Sequence, residues 1–345
     1  MNLEKRWFCV ATCAMLFTVR FDGASQGQTP IDATPERIAA QMLDAADAGD
    51  LDKAHELGLR LLAATPEAPM TLYDLASKFA KHGDKDRAVE WLTRSAERGF
   101  RFEAKMLRDE DLDSIREHPK FTKAVELIRA NVAKSLEAFK VRAANEAVVL
   151  TEIPKTVDLS KPAPLIVVLH GYGGAARGML QAWKNTARDF AAVLIAPQAL
   201  DKAGEGLSWT VSYEAEYLVL RAIEEARKKH NIDPNRIVLT GFSQGGLTTF
   251  NLALTHPTMF KGAIPISGFY DPRVAPVPNK PGTKLPRFAI LNGEQDQEAD
   301  NNRTTAKLIE ATGTPVLVNI YPGVGHAFPP NRDRDLAAAL KFVLE

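Results

Sequence analysis

Arg236-Ile237-Val238-Leu239-Thr240-Gly241-Phe242-Ser243-Gln244-Gly245-Gly246-Leu247 is the stretch on which the fold turns. Ile237 to Thr240 are apolar or β-branched, the composition of a buried strand. From Leu247 onward the apolar spacing is helical. Between the two lies Gly-x-Ser-x-Gly, a serine flanked by glycines. By average composition this pentamer turns up by chance only about 0.1 times in a chain this long. Strand before and helix after make a sharp, strained turn that lifts Ser243 out of the backbone. The helix N-terminus then aims free N–H groups and its positive dipole end at any oxyanion formed beside that serine.

Working outward, short apolar runs alternate with amphipathic stretches across the last 200 or so residues. Strands are predicted at Ala147–Thr151, Leu165–Leu169, Ala192–Ala196, Arg236–Thr240, Gly262–Ile266, Phe288–Leu291 and Val316–Tyr321. Helices are predicted near 176–190, 213–230, 244–255, 300–312 and 331–344. Such alternation implies an α/β fold with a doubly wound, mainly parallel sheet covered on both faces.

A serine hydroxyl needs a base, and on this kind of turn the chain order is serine, acid, histidine. His326, in Pro322-Gly323-Val324-Gly325-His326 after the last predicted strand, is the only histidine beyond His256. Asp296, in Gly293-Glu294-Gln295-Asp296, follows the Phe288–Leu291 strand and is the expected orienting acid, with Glu294 and Asp300 as nearby rivals. An oxyanion hole needs two N–H donors. Gln244 supplies one, and Tyr172, in the loop His170-Gly171-Tyr172-Gly173-Gly174, is expected to supply the other. His170 precedes the serine and ends a strand, so it reads as a loop brace; His230 and His256 read as structural. Trp209 and the proline-rich Phe269–Pro286 stretch are candidate pocket walls, the latter equally a stiff connector. The chemistry calls for no metal and no organic cofactor.

Leu169-His170-Gly171-Tyr172-Gly173-Gly174, Gly241-Phe242-Ser243-Gln244-Gly245-Gly246, Gly293-x-x-Asp296 and Gly325-His326 together resemble the phospholipase/carboxylesterase family of α/β-hydrolases. Dienelactone hydrolases, acyl-protein thioesterases and secreted polyhydroxyalkanoate-depolymerase-like esterases are related to it. The resemblance covers residues 145–345. It implies a serine esterase with Ser243, Asp296 and His326 as triad, acting on a small-molecule or polymer-derived ester.

The preceding region, about 31–140, reads as all-helical and smaller. Gly49-Asp50-Leu51-Asp52-Lys53-Ala54 recurs 34 residues later as Gly83-Asp84-Lys85-Asp86-Arg87-Ala88. That period, with Ala54, Ala88, Pro66 and Phe79 at matching positions, resembles two degenerate tetratricopeptide repeats. Such repeats present a concave surface to a protein partner; the plainer alternative is an appendage packed on the catalytic domain.

Residues 1–26 read as an address. Lys5 and Arg6 precede an apolar run from Trp7 to Val19, and Gly23-Ala24-Ser25 offers small residues for cleavage. This is the layout of a secretory signal peptide, and the run is shorter than the roughly 20 residues that span a bilayer. Both cysteines, Cys9 and Cys13, fall inside it, so the mature chain is expected to have neither a disulfide nor a thiolate nucleophile. Lys+Arg and Asp+Glu are equal at 43 each, which provides no field for nucleic acid or anionic membrane. The leading reading is an exported carboxylic-ester hydrolase. A thioesterase or serine peptidase uses the same groups, and an inactive hydrolase-fold binding protein is the rival from another class. N-terminal sequencing of protein recovered from the envelope or medium is expected to begin near Ser25–Gln28; an intact Met1 on cytoplasmic protein would refute export.

Overall fold

The structure, a computed structural model, describes residues 34–65, 68–209, 212–278 and 284–345. The signal-peptide segment 1–26 and Pro66 lie outside the described residues. Helices lead the chain: α1 Pro35–Asp47, α2 Leu51–Ala64, α3 Pro69–Lys81, α4 Lys85–Glu97, α5 Glu103–Arg108 and, after a 3-10 turn at Glu110–Ile115, α6 Phe121–Glu146. The starts of α1 and α3, and of α2 and α4, are each 34 residues apart. The repeated Gly-Asp-x-x-x-Ala explains the second pair. Gly49 and Gly83 take positive φ after the preceding helix. Asp50 and Asp84 then accept from the amides of Lys53 and Arg87 at 3.3 and 3.2 Å, capping the next helix. Ala54 and Ala88 are both fully buried where the helices meet.

The second region is a seven-stranded sheet in the order β1-β3-β2-β6-β7-β8-β9. Its strands are β1 Val149–Glu152, β2 Ala163–Leu169, β3 Val193–Pro197, β6 Ile232–Phe242, β7 Gly262–Ile266, β8 Arg287–Gly293 and β9 Val316–Tyr321. All seven expected strands are present. β1 pairs antiparallel with β3, and every other neighbour is parallel. Within β2 every residue is buried, and alternate side chains feed opposite cores. Leu165, Val167 and Leu169 meet α8 (Ser212–Lys229), whereas Ile166 and Val168 meet α7 (Ala176–Asp189) and α11 (Arg332–Leu344). Helices α9 (Gln244–Thr255) and α10 (Ala299–Glu310) complete the layer on the α8 side. A short hairpin, β4 Asp201–Ala203 with β5 Gly206–Ser208, was not foreseen. Among the described residues no helix is long and apolar enough to cross a membrane.

The change of texture expected near residues 140–145 falls inside one continuous helix. Phe121, Ala124 and Ile128 of α6 belong to the helical core, while Phe139 and Ala143 belong to the sheet core. Arg221 on α8 donates to the Ala143 carbonyl at 2.7 Å, beside the Ala147 amide that also donates to it, and so fastens the last turn of α6 to α8. Arg142 reaches Asp201 and the Leu200 carbonyl, each at 2.8 Å. Arg273, from the proline-rich stretch, donates to the Arg108 carbonyl at 2.9 Å and pairs with Asp113 at 3.1 Å. That stretch therefore ties the sheet region to the helical one; its residues 279–283 lie outside the described residues.

The register sets β2 and β6 side by side to their C-terminal ends, with Leu169 opposite Gly241. The start of α9 packs directly on β2. A Cβ at Gly245 would stand 2.4 Å from the Leu169 carbonyl oxygen and 2.7 Å from that of His170. Backbone has no rotamer with which to yield, so Gly245→Ala is expected to destabilise by about 1–3 kcal/mol, the usual cost of overpacking. A denaturant melt of the variant checks this; an unchanged midpoint would contradict the close packing of α9 on β2.

Candidate active site

Tyr172, Ser243, Gln244, Asp296 and His326 all follow the C-terminal ends of parallel strands, where crevices in open α/β sheets lie, whereas Trp209 follows the β4–β5 hairpin. Ser243 follows β6 with φ 54° and ψ −116°, a conformation costing a non-glycine residue of order 1–3 kcal/mol. Two bonds hold it there. Its amide donates to the Ile266 carbonyl at 2.9 Å, and its own carbonyl accepts from Leu247 at 3.0 Å. The side chain is thereby left outside both strand and helix.

His326, five residues past the end of β9, brings Nε2 to 2.8 Å from Ser243 Oγ. Its Nδ1 lies 2.8 Å from Asp296 Oδ2. Asp296 is 5% exposed, and its other oxygen accepts from the Glu298 amide at 3.1 Å. The two rival acids are elsewhere: Glu294 accepts from the Gly323 amide, and Asp300 pairs with Arg303 on the surface. Phe242 lies beneath the histidine, 5.2 Å between ring centroids, and stacks in turn on Phe328 at 4.9 Å. Ser267 steadies the same loop by donating to the Ala327 carbonyl at 3.2 Å. Glu298 is half-buried close by; burial first, then the Asp296 charge, holds its carboxyl above the usual range against the pull of His326.

The glycine loop after β2 is in place against the serine. A Cβ on Gly171 would stand 3.2 Å from Ser243 Cβ and equally close to the Phe242 carbonyl oxygen, so only glycine lets the loop come so near. Tyr172 follows immediately and is 66% exposed. Gln244 is the first residue of α9, whose opening amides have no acceptor within the helix. Its side chain does separate work. Oε1 accepts from the Trp209 amide at 2.9 Å and Nε2 donates to Ser208 Oγ at 3.1 Å, clamping the end of the β4–β5 hairpin over the turn.

Trp209 is mostly buried and also holds the glycine loop. It is 6% exposed, its indole N–H donates to the His170 carbonyl at 2.8 Å, and its ring lies on the His170 ring at 4.9 Å. What remains of its surface borders a cleft toward the helical region. His170 is the loop brace. Nδ1–H donates to the Gly171 carbonyl at 2.8 Å, and Nε2 accepts from Gln198 at 2.7 Å and from the Ala199 amide at 3.2 Å. Gln198 was missed by sequence reasoning; its place at the end of β3, on the same sheet edge, was the available signal. It also accepts from the Ala176 amide at 2.9 Å, joining the start of α7 to the brace. His256 is paired with Glu216 at 3.0 Å, away from this assembly.

The protein is similar to known proteins over the sheet region. A model described as the dienelactone hydrolase family matches residues 153–342. The putative esterase NocK of Nocardia uniformis subsp. tsuyamanensis is 33% identical over 126 residues, 33% of this chain and 36% of that protein. Poly(3-hydroxyalkanoate) depolymerase C of Paucimonas lemoignei is 29% identical over 115 residues, 31% of this chain and 28% of that protein. The chain thus spans about a third of the length of these curated relatives. A solved structure titled as esterase PE8 superposes with a TM-score of 0.49 at 21% identity, covering 58% of this chain and 100% of that one.

Burial pushes the His170 imidazole below its ordinary pKa of 6.5. The folded protein holds it neutral because Nε2 is an acceptor, whereas the unfolded chain takes up the proton near 6.5. Stability is then full above about pH 6.5 and is lost as pH falls below it. Melting temperatures measured from pH 7.5 to 5 are expected to fall in the wild type and to fall less steeply in His170→Gln; parallel slopes would contradict the brace.

Proposed function

The chain belongs to the dienelactone hydrolase family, and on that premise we propose that it is a serine hydrolase of carboxylic esters with Ser243 as its nucleophile. The observation that carries this reading is the unbroken hydrogen-bond chain from buried Asp296 through both ring nitrogens of His326 to Ser243 Oγ. In the proposed mechanism His326 Nε2 takes the Ser243 proton as Oγ attacks the ester carbonyl carbon. Asp296 accepts from Nδ1–H, which fixes the tautomer and stabilises the imidazolium. The tetrahedral oxyanion rests on the amides of Gln244 and Tyr172. His326 then gives the proton to the leaving alcohol. Water, deprotonated by the same nitrogen, attacks the acyl-enzyme and releases the carboxylic acid. No step needs a metal or an organic cofactor.

Two further parts belong to the proposal. Export to the periplasm or medium rests on the layout of residues 1–26. A tetratricopeptide-like character for the helical region is supported by its 34-residue spacing of helix starts and by the shared Asp caps.

Covalent labelling by a fluorophosphonate probe is expected in the wild type and absent in Ser243→Ala with the fold retained. Asp296→Asn is expected to lower kcat on a 4-nitrophenyl ester by roughly 10³–10⁴-fold, as in triads that act as a unit. Full labelling of Ser243→Ala would overturn the assignment of the nucleophile. A near-normal Asp296→Asn beside a crippled Glu294→Gln or Asp300→Asn would move the acid.

A further inference from the structure

Asp296 sits in the turn 294–298, between the end of β8 at Gly293 and the start of α10 at Ala299. A buried asparagine stands at each end of that turn: Asn292 in β8 and Asn302 in the first turn of α10, each 1% exposed. Asn302 Nδ2 donates to Asn292 Oδ1 at 3.0 Å and so closes the base of the turn. It also donates to the Gly268 carbonyl at 2.7 Å. Asn292 Nδ2 in turn donates to the Gly293 carbonyl at 2.9 Å. Carbonyl oxygens only accept, so Gly268 and Gly293 fix the orientation of both amides and the direction of the bond between them.

Each end of this clamp meets backbone that carries the site. The Gly293 carbonyl also accepts from the Asp296 amide at 3.3 Å. The histidine loop lies on the same glycine: a Cβ there would stand 2.1 Å from the Gly325 carbonyl oxygen and 2.2 Å from that of Val324. The Gln295 amide donates to the Val324 carbonyl at 2.8 Å. At the other end, a Cβ on Gly268 would stand 2.7 Å from Gly246 Cα and 2.8 Å from the Leu247 nitrogen, in the first turn of α9. Asn302 therefore joins the acid turn to the helix that follows the serine. Packing alone does not account for an amide at this position. Asn302 Oδ1 is buried and makes no hydrogen bond among the described residues, a penalty that an apolar side chain of similar size would avoid.

We propose that Asn302 and Asn292 are positioning residues of the triad, a clamp across the base of the acid turn that sets the Asp296 carboxylate against His326 Nδ1. Both act through Asp296. Without the clamp, Gly293 and the start of α10 are free to part, and the carboxylate drifts from the ring nitrogen now 2.8 Å away. The catalytic consequence rests on the reading of Ser243, Asp296 and His326 as a triad; the clamp itself does not.

The experiment uses the full chain. Asn302→Ala and Asn292→Ala break the clamp from its two sides, so one serves where the other does not fold. Ile309→Ala, which opens a cavity two turns farther along α10, controls for lost stability. With 4-nitrophenyl acetate, each asparagine variant should lower kcat about tenfold to hundredfold, the weight of a misplacement near 1 Å, and leave KM within about twofold. Ile309→Ala should leave both constants unchanged at temperatures where it is folded. Because the effect runs through Asp296, Asn302→Ala should cost nothing further in an Asp296→Asn background. Proton NMR reads the same bond without turnover. The Nδ1 proton of His326, assigned by its loss in His326→Gln, should shift or broaden in both asparagine variants and not in Ile309→Ala. A kcat loss no larger than that of Ile309→Ala, or one repeated in full on Asp296→Asn, would overturn the inference while labelling of Ser243 stands. Absent turnover and labelling, with the Nδ1 resonance still dependent on Asn302, would overturn the catalytic reading and support the clamp.

Discussion

Ser243 is held at a positive φ by its amide bond to Ile266 and its carbonyl bond from Leu247, and the surrounding backbone closes on that strained residue from three sides. β2 lies against Gly245, the glycine loop against Ser243 itself, and the loop carrying His326 against Phe242. None of these contacts can relax independently. Moving β2 outward would loosen the start of α9, and with it the amides that face the serine. The strain is affordable because the parallel register of β2, β6 and β7 over-determines where the turn must fall.

Support for the site is distributed over residues far apart in sequence. Gln198, His170, Trp209 and Gln244 form a continuous chain of hydrogen bonds that pins the glycine loop and the β4–β5 hairpin to the elbow. Its members use neutral polar atoms on backbone or on one another, so the chain fixes position without adding charge.

The sheet was legible because its strands are buried on both faces and read as unbroken apolar runs, as Leu165–Leu169 does. The positions of Ser243, Asp296 and His326 were legible because each closes a strand with a glycine-bearing loop. The β4–β5 hairpin was not, since Asp201–Ala203 and Gly206–Ser208 are three residues each and too short and polar to carry a period. The bond from the Trp209 indole to the His170 carbonyl was not legible, because local sequence cannot reveal a partner 39 residues upstream. α6 blurred the domain boundary for a different reason. Its apolar positions serve one core up to Ile128 and another from Phe139, so no single stripe runs its length.

That helix has 26 residues and a length of about 39 Å, with its two ends seated in different cores. A straight helix keeps angular phase as well as distance. Inserting one residue midway, between Ile128 and Phe139, would advance the helical layer by only 1.5 Å but rotate it by about 100°. Asp113 and the Arg108 carbonyl would swing away from Arg273, which holds them across the joint. Whole turns, three or four residues at a time, are thus the natural quantum of length change at this joint, and α6 acts as a phase key between the two halves of the molecule.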